Sequence, residues 1–166
     1  MLAAYRSPDP PAGVGRLSRD AVRRRIERSG RLVRGRLDLG IEAEGRLVGD
    51  LDARSPANAF PPGVFEIGVS IFAAGDRGKG YGLEATRLLV DHLFDAEEAA
   101  RVQATTADWN APMRALLARL GFSEEGVLRA FFPTARGRDD YVMYSLTRQE
   151  WLDAGDGSNP RETDRA

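Results

Sequence analysis

Hydrophobic and polar positions alternate with a period of two from residue 36 onward. Leu37, Leu39, Ile41 and Ala43 alternate with Arg36, Asp38, Gly40 and Glu42, the pattern of a half-buried strand. Glu44-Gly45 is a turn signal, and Arg46 to Asp52 reads as the return strand of a hairpin. Ser55 to Gly63 holds three prolines and reads as a loop. Val64 to Phe72 is the next strand, with Phe65, Ile67, Val69 and Ile71 on one face and Glu66, Gly68 and Ser70 on the other.

After the glycine-rich stretch Gly75 to Gly82 the period changes to that of a helix. Leu83, Thr86, Val90, Leu93 and Phe94 fall on one stripe of a helix over about Tyr81 to Phe94. Arg101 to Ala107 reads as a strand. Asn110 is positioned to cap a second helix, with Pro112 in its first turn, Met113, Leu116, Leu117 and Leu120 on its apolar face, and Gly121 at its end. Two further strands are expected over about Gly126 to Phe132 and Asp139 to Leu146.

Before the first strand, Pro8, Pro10 and Pro11 mark an irregular lead-in. A helix over about 19–29 follows, with Ser18 as N-cap, Leu17 stapled onto Val22, Gly30 just past its end and a thin apolar face of Val22 and Ile26. From Asp153 to Ala166 the chain is polar, and a disordered tail is expected there. The whole reads as one α/β (α+β) domain over residues 1–152, with antiparallel hairpins at both ends of a mixed sheet and a β-α-β unit in the middle.

Composition narrows the chemistry. With 166 residues, 42% hydrophobic and 30% charged, the chain fits one soluble globular domain. No apolar run approaches the ~20 residues that span a bilayer, and the first residues lack an apolar signal core, so the expected location is cytoplasmic. The cysteine count is 0 and His92 is the one histidine, which excludes thiol catalysis, disulfides and zinc sites built from Cys or several His. No metal is expected. A net charge of −1 gives no pull toward nucleic acid or membranes. Lys79 is the single lysine among 24 basic residues, and it lies in the glycine-rich loop.

That loop, Arg77-Gly78-Lys79-Gly80-Tyr81-Gly82, follows a strand and opens a helix. Backbone N–H groups at a helix start converge on one spot, the helix dipole adds positive charge there, and glycines admit an anion closely. The arrangement suits a pyrophosphate, although a bare strand-to-helix turn would carry the same glycines. A P-loop needs Ser or Thr after Gly-Lys, and Lys79 is followed by Gly80. A dinucleotide fold expects parallel strands on both sides, and the strands before this loop read as an antiparallel hairpin.

From about Ile41 to Trp151 the chain resembles the GNAT N-acetyltransferase superfamily, and within it the Rim-type ribosomal-protein N-terminal acetyltransferases. Glu66-Ile67-Gly68-Val69 is similar to the strand before the cofactor loop, and Arg77 to Gly82 to the loop Arg/Gln-x-x-Gly-x-Gly/Ala. Asn110 to Arg114 with Leu120-Gly121-Phe122 resembles the second cofactor-side helix. Glu125 to Arg129, Asp140 to Leu146 and Glu150-Trp151 resemble the closing hairpin.

The resemblance implies a mostly antiparallel sheet flanked by helices, and transfer of an acetyl group from acetyl-CoA, as cosubstrate, to a protein N-terminus or a small-molecule or antibiotic amine. It also admits a catalytically weak acyl-CoA-binding sensor or partner domain. Backbone groups near Ile71, Phe72 and Ala73 would hold the pantetheine arm. Those of Gly78, Gly80 and Gly82, flanked by Arg77, Lys79 and Tyr81, would hold the pyrophosphate, and Asn110 would contact the cofactor across the cleft. Glu66 is the candidate general base; a salt-bridged strand residue is the plainer alternative. The positions where many members carry a Ser or Tyr to protonate the thiolate are Met113 and Leu117 here, which leaves Tyr141, Tyr144 or water. The family begins with a strand and a long helix, and this chain is expected to start near the end of that helix. A monomer or homodimer is expected, with Asp139-Asp140 a hairpin-end charge pair or, alternatively, an attraction for a cationic acceptor, Trp109 a packing residue or cleft wall, and His92 on an exposed helix face.

Overall fold

The computed structural model describes residues 29–156 except 56, 58, 59 and 136. The Pro-rich lead-in and nearly all of the helix expected over about 19–29 lie outside them. Six strands form one sheet: β1 (Arg36–Ala43), β2 (Arg46–Arg54), β3 (Val64–Ile71), β4 (Arg101–Ala107), β5 (Ser123–Thr134) and β6 (Gly137–Thr147), in the order β1-β2-β3-β4-β6-β5. All neighbours are antiparallel except β3 and β4. Three helices are described: α1 (Tyr81–Asp95), α2 (Ala111–Arg119) and α3 (Arg148–Asp156).

The β1–β2 turn has positive φ at both central residues, 53° at Glu44 and 71° at Gly45, which matches the twist of a two-residue hairpin. The β3–β4 connection is parallel because α1 carries the chain back across the sheet. Its buried stripe is Thr86, Leu89, Val90, Leu93 and Phe94, so Leu89 joins the expected set. Asn110 caps α2 as expected, its Oδ1 accepting from Met113 N (3.4 Å).

One face of the sheet is apolar and packs under the helices. Leu37, Leu51, Ala53, Phe65, Ile67, Val102, Ala104, Val142 and Leu146 are buried there against Leu93, Phe94 and Leu117. α3 was not legible as a helix, and it includes Asp153 to Asp156, where the tail was expected to begin. It docks through Trp151, which stacks on Phe94 (5.2 Å between centroids) and donates to Asp91 Oδ1 at 2.9 Å. Arg148 Nη1 closes the joint by donating to the Phe94 carbonyl at 2.6 Å.

The other face is polar, and its side chains form one ladder of hydrogen bonds and ion pairs across the sheet. Arg36 pairs with Asp38 (2.9 Å) and Asp52 (3.5 Å), and Arg54 Nε lies 3.2 Å from Asp52. Arg54 then reaches Glu66 on β3 at 2.9 Å. Gln103 on β4 donates to Glu66 (3.4 Å) and accepts from Arg101 Nε (3.0 Å). Arg101 grips Glu125 on β5 with both terminal nitrogens (2.7 and 2.5 Å), and Ser145 on β6 donates to the same carboxylate at 2.7 Å.

Two outcomes follow. Phe94, with 0% of its surface exposed, is the keystone between α1 and α3; Phe94→Ala should cost about 3–5 kcal/mol in urea unfolding, and a cost under 1 would contradict that packing. Glu125 is held down to about 2 by Arg101 and then Ser145. A depressed carboxyl stabilises the fold above its unfolded value near 4.5 and loses that contribution as pH falls toward 2. Glu125→Gln should therefore lower the melting temperature at pH 7 by an amount worth about 1 kcal/mol or less after screening. The gap should close as the pH drops from 4.5 to 2.

Candidate functional site

β3 and β4 pair only at Val64↔Arg101, Phe65↔Val102 and Glu66↔Gln103, and past Glu66 they no longer pair. β3 continues with β2 on one side, and β4 with β6 on the other. Phe72 N–H donates to the Val48 carbonyl (3.0 Å), extending the β2–β3 ladder by one step. Bonded and open positions alternate in an antiparallel pair, so the N–H and C=O groups of Val69 and Ile71 face away from β2, toward β4. Both residues lie beyond the last β3–β4 pair. The result is a wedge between two strands, with backbone donors and acceptors on its β3 wall.

The glycine loop sits at the open end of this wedge. Arg77 Nε donates to the Ile71 carbonyl at 3.3 Å. A β-carbon added at Gly82 would lie 3.6 Å from Ile71 Cγ1 and 3.7 Å from Leu116 Cδ1, so α1 starts directly against β3 and α2. Gly78 (φ 75°) and Gly80 (φ 91°) adopt backbone that disfavours other residues, and nothing lies within 4 Å of the space a β-carbon would take. Gly80 is the N-cap of α1 and makes no side-chain cap, and the first helical bond is Glu84 N–H to the Gly80 carbonyl (3.0 Å). The N–H groups of Tyr81, Gly82 and Leu83 are thus without helical acceptors.

The loop is pinned by groups that the sequence reading passed over. Asp76, buried at the end of a 3₁₀ turn (Ala74–Asp76), takes Lys79 Nζ at 3.1 Å and Arg46 Nη2 at 3.2 Å. Its carboxyl is held below the usual range by the Arg46 bond first and the Lys79 bond second. Tyr81 donates to Glu44 Oε1 (3.1 Å), and this contact, with burial, raises its hydroxyl pKa. Glu44 lies in the β1–β2 turn and Arg46 opens β2 directly after it, so the hairpin end holds the loop. The available signal was a charge on either side of Gly45 facing a loop that carries both charges.

The remaining expected residues are found as follows. Glu66 lies on the polar face at the last β3–β4 pair, 18% exposed and clamped between Arg54 and Gln103. The Ala73 carbonyl accepts from Asp76 N (3.0 Å). Asn110 faces the end of β4, its Nδ2 on Thr106 Oγ1 at 3.0 Å. Met113 packs against the core and Leu117 is 0% exposed, so neither position offers a hydroxyl. Tyr144 is buried on the helix face, where its hydroxyl donates to Glu124 (2.8 Å) and accepts from Arg114 (2.9 Å), away from the wedge. Tyr141 is on the polar face, opposite Ala107 at the end of β4. Among the described residues no three His, Asp or Glu side chains gather as a metal site, and no helix is long and apolar enough to cross a membrane.

Residues 4–123 match the family model described as an acetyltransferase (GNAT) domain. The chain belongs to the GNAT family. It is 38% identical over 74 residues to YdaF of Bacillus subtilis (strain 168), whose name proposes a ribosomal N-acetyltransferase; the match covers 45% of this chain and 40% of YdaF. It is 37% identical over 75 residues to p20 of Bacillus licheniformis, named as an uncharacterized N-acetyltransferase, covering 45% of this chain and 42% of p20. The GNAT chain therefore spans about two-fifths of the length of these curated relatives. Among solved structures it is similar to Mycobacterium smegmatis RimJ in complex with CoA-disulfide, with TM-score 0.61, 28% identity, and coverage of 72% of this chain and 60% of RimJ. These likenesses agree with the Rim-type resemblance.

Asp76→Asn should unpin the loop, since it removes the charge that holds both Arg46 and Lys79. Amide hydrogen exchange across residues 77–83 should quicken, while β4 and β6 keep their protection. Unchanged exchange in the loop would show that the glycine backbone holds its shape unaided.

Proposed function

We propose that this GNAT domain moves the acetyl group of acetyl-CoA to a primary amine by direct attack of the amine on the thioester. The observation that carries this reading is the wedge between β3 and β4 with the glycine loop at its mouth. An extended amide-bearing arm entering the wedge would meet the backbone of Ile71, and of Val69, which the sequence reading did not name. Phe72 N–H already has the Val48 carbonyl as partner. A pyrophosphate would rest on the N–H groups of Gly78, Gly80, Tyr81 and Gly82, with Arg77 and Lys79 adding charge and Asn110 shaping the far side. The CoA-disulfide in the RimJ complex supports that cosubstrate.

The thioester is activated already, so the protein's tasks are to orient the amine, accept its proton and stabilise the oxyanion. The amine nitrogen bonds to the carbonyl carbon and the oxygen takes the negative charge beside the inward N–H groups of β3; the C=O then re-forms as the C–S bond breaks, and the nitrogen's surplus proton passes through water to the departing CoA thiolate. Glu66 takes the ammonium proton, directly or through water. Arg54 and Gln103 orient its carboxylate, which retains lone pairs for a further donor. Acceptors in view are a protein N-terminus or a small-molecule amine.

A second reading is an acyl-CoA-binding domain that lacks turnover. The engagement of Glu66 by Arg54 and Gln103, and the apolar side chains at Met113 and Leu117, favour it. Release of free CoA thiol from acetyl-CoA with a panel of amines separates the two. On the enzymatic reading Glu66→Gln lowers the rate about 10²–10⁴-fold with CoA affinity held in calorimetry, and the deficit shrinks as rising pH neutralises the amine. A wild-type rate in Glu66→Gln from about pH 6 to 9 would remove Glu66 from the mechanism. CoA binding with no thiol release for any amine would favour the second reading.

A further inference from the structure

β5 does not pair evenly with β6. Leu128 is opposite Tyr141 and Phe132 is opposite Asp139, so Arg129, Ala130 and Phe131 together face Asp140 alone. Ala130 sits at φ 50°, a conformation unfavourable for alanine. Two charged side chains of β6 hold this bulge in place. Asp140 Oδ1 accepts from Ala130 N at 2.6 Å, and Arg138 donates to the carbonyls of Ala130 and Phe131, the latter at 2.8 Å. Bulges and strained residues held in this way concentrate next to functional sites.

The bulge brings Phe131 onto Tyr141. Its ring lies 5.5 Å from that of Tyr141, and Phe132 stacks on Tyr141 at 5.1 Å. Trp109, at the end of β4, donates its indole N–H to Asp139 Oδ2 at 3.0 Å. Trp109 is 71% exposed and Phe131 45%, so their ring faces meet solvent. Asp139 and Tyr141 share the sheet face of Ser145 and Gln103, and therefore of Glu66. Burial, then the Asp139 charge, raises the Tyr141 hydroxyl pKa, so its ring stays neutral. The cluster lies four strand positions along β4 from Gln103, about 13 Å at the usual rise per residue.

We propose that Trp109, Phe131, Phe132, Tyr141 and Asp139 form an acceptor subsite for a second cationic nitrogen, one that the substrate carries on the order of 10 Å from the amine being acetylated. Aromatic faces attract a cation through their quadrupole, and the carboxylate supplies the opposite charge. The inference rests on the acetyltransferase reading and names its substrate class: diamines, or peptides with a basic side chain near a free N-terminus.

The test compares matched acceptors. Free amines are 1,8-diaminooctane against n-octylamine; peptides are Gly-Lys-amide against Gly-Gly-amide. Acceptors with the second cation should show a KM at least about 5-fold lower than their partners. Phe131→Ala should reduce that preference about 2- to 5-fold, the worth of one solvent-exposed cation–π contact. Asp139→Asn keeps an acceptor for the Trp109 indole and should act in the same direction, with CoA affinity held in both. Preference confined to the free diamines identifies the polyamine-like source, and preference confined to Gly-Lys-amide the peptide source. Equal KM within both pairs overturns the subsite, as does an equal loss for both members of a pair in Phe131→Ala. Spermidine titrated against Trp109 fluorescence in a Trp151→Phe background decides the matter without turnover. Quenching by spermidine and not by n-butylamine supports the subsite, and its absence overturns it. Failure of acetylation with every amine, beside that selective quenching, would count against the transferase reading alone.

Discussion

The separation of β3 from β4 after three residue pairs is the constraint on which the rest of this structure depends. Near Val64 and Arg101 the strands are tied tightly, with the Gly63 carbonyl accepting from both Ala100 N and Arg101 N (2.8 and 3.1 Å). Each strand is then claimed by an antiparallel partner on its outer side, and pairs of that kind twist. Past Glu66 nothing pairs the two strands to each other, so the sheet opens between them. The opening leaves inward-facing amides on β3 that no strand satisfies. Such groups are costly to bury unpaired and useful to a ligand that is itself extended and amide-bearing.

The ladder of hydrogen bonds and ion pairs on the polar face gives the same opening a floor. Arg54, Glu66 and Gln103 cross from β2 to β4 at the last paired step, immediately before the wedge begins. Charged networks of this sort contribute little net stability, because desolvation offsets most of the attraction. Their better-attested effect is to fix side-chain geometry. Glu66 is held from two sides, which gives its carboxylate a defined direction that an unpaired strand glutamate would lack.

Much of this was legible from local pattern. Alternation assigned the faces of β1 and β3, the Glu44-Gly45 pair set the first hairpin, and Asn110 announced its helix, because each depends on residues close in sequence. What escaped depends on distance. Asp76 finds Arg46 thirty positions away, and no period encodes that contact. The β5 bulge needs Asp140 and Arg138 from the opposite strand to make φ 50° tolerable at Ala130, while the sequence there reads as an ordinary strand. α3 is short and polar, held by Trp151 and Arg148 rather than by a stripe of its own. At the site, residue type and order pointed to the loop and to Glu66, but the phase of the β2–β3 ladder decides which amides face the wedge. That phase is set by a register invisible in one sequence.

The apolar side chains at Met113 and Leu117 look like a missing half of the chemistry, and the energetics of the two proton transfers argue otherwise. An alkyl ammonium with a pKa near 10.4 is deprotonated in about one molecule in 10³ at pH 7, so an amine acceptor without a base forfeits about 4–5 kcal/mol. A thiol with a pKa near 8.5 lies only about 1.5 units above neutrality, and its anion departs without a proton at a cost of about 2 kcal/mol. For an alkyl amine the base is the more demanding of the two groups; for a protein α-amine, with a pKa of about 7.7–8.0, the cost of deprotonation at pH 7 falls to about 1 kcal/mol, below that of the thiol. Glu66, at the foot of the wedge on the polar face, is a carboxylate clamped in one orientation. Tyr144 is committed to Arg114 and Glu124 on the opposite face, so the structure keeps no tyrosine for the thiolate on that side. On the proposed transferase reading, a site in which Glu66 accepts the amine's proton and water serves the thiolate needs no hydroxyl at Met113 or Leu117.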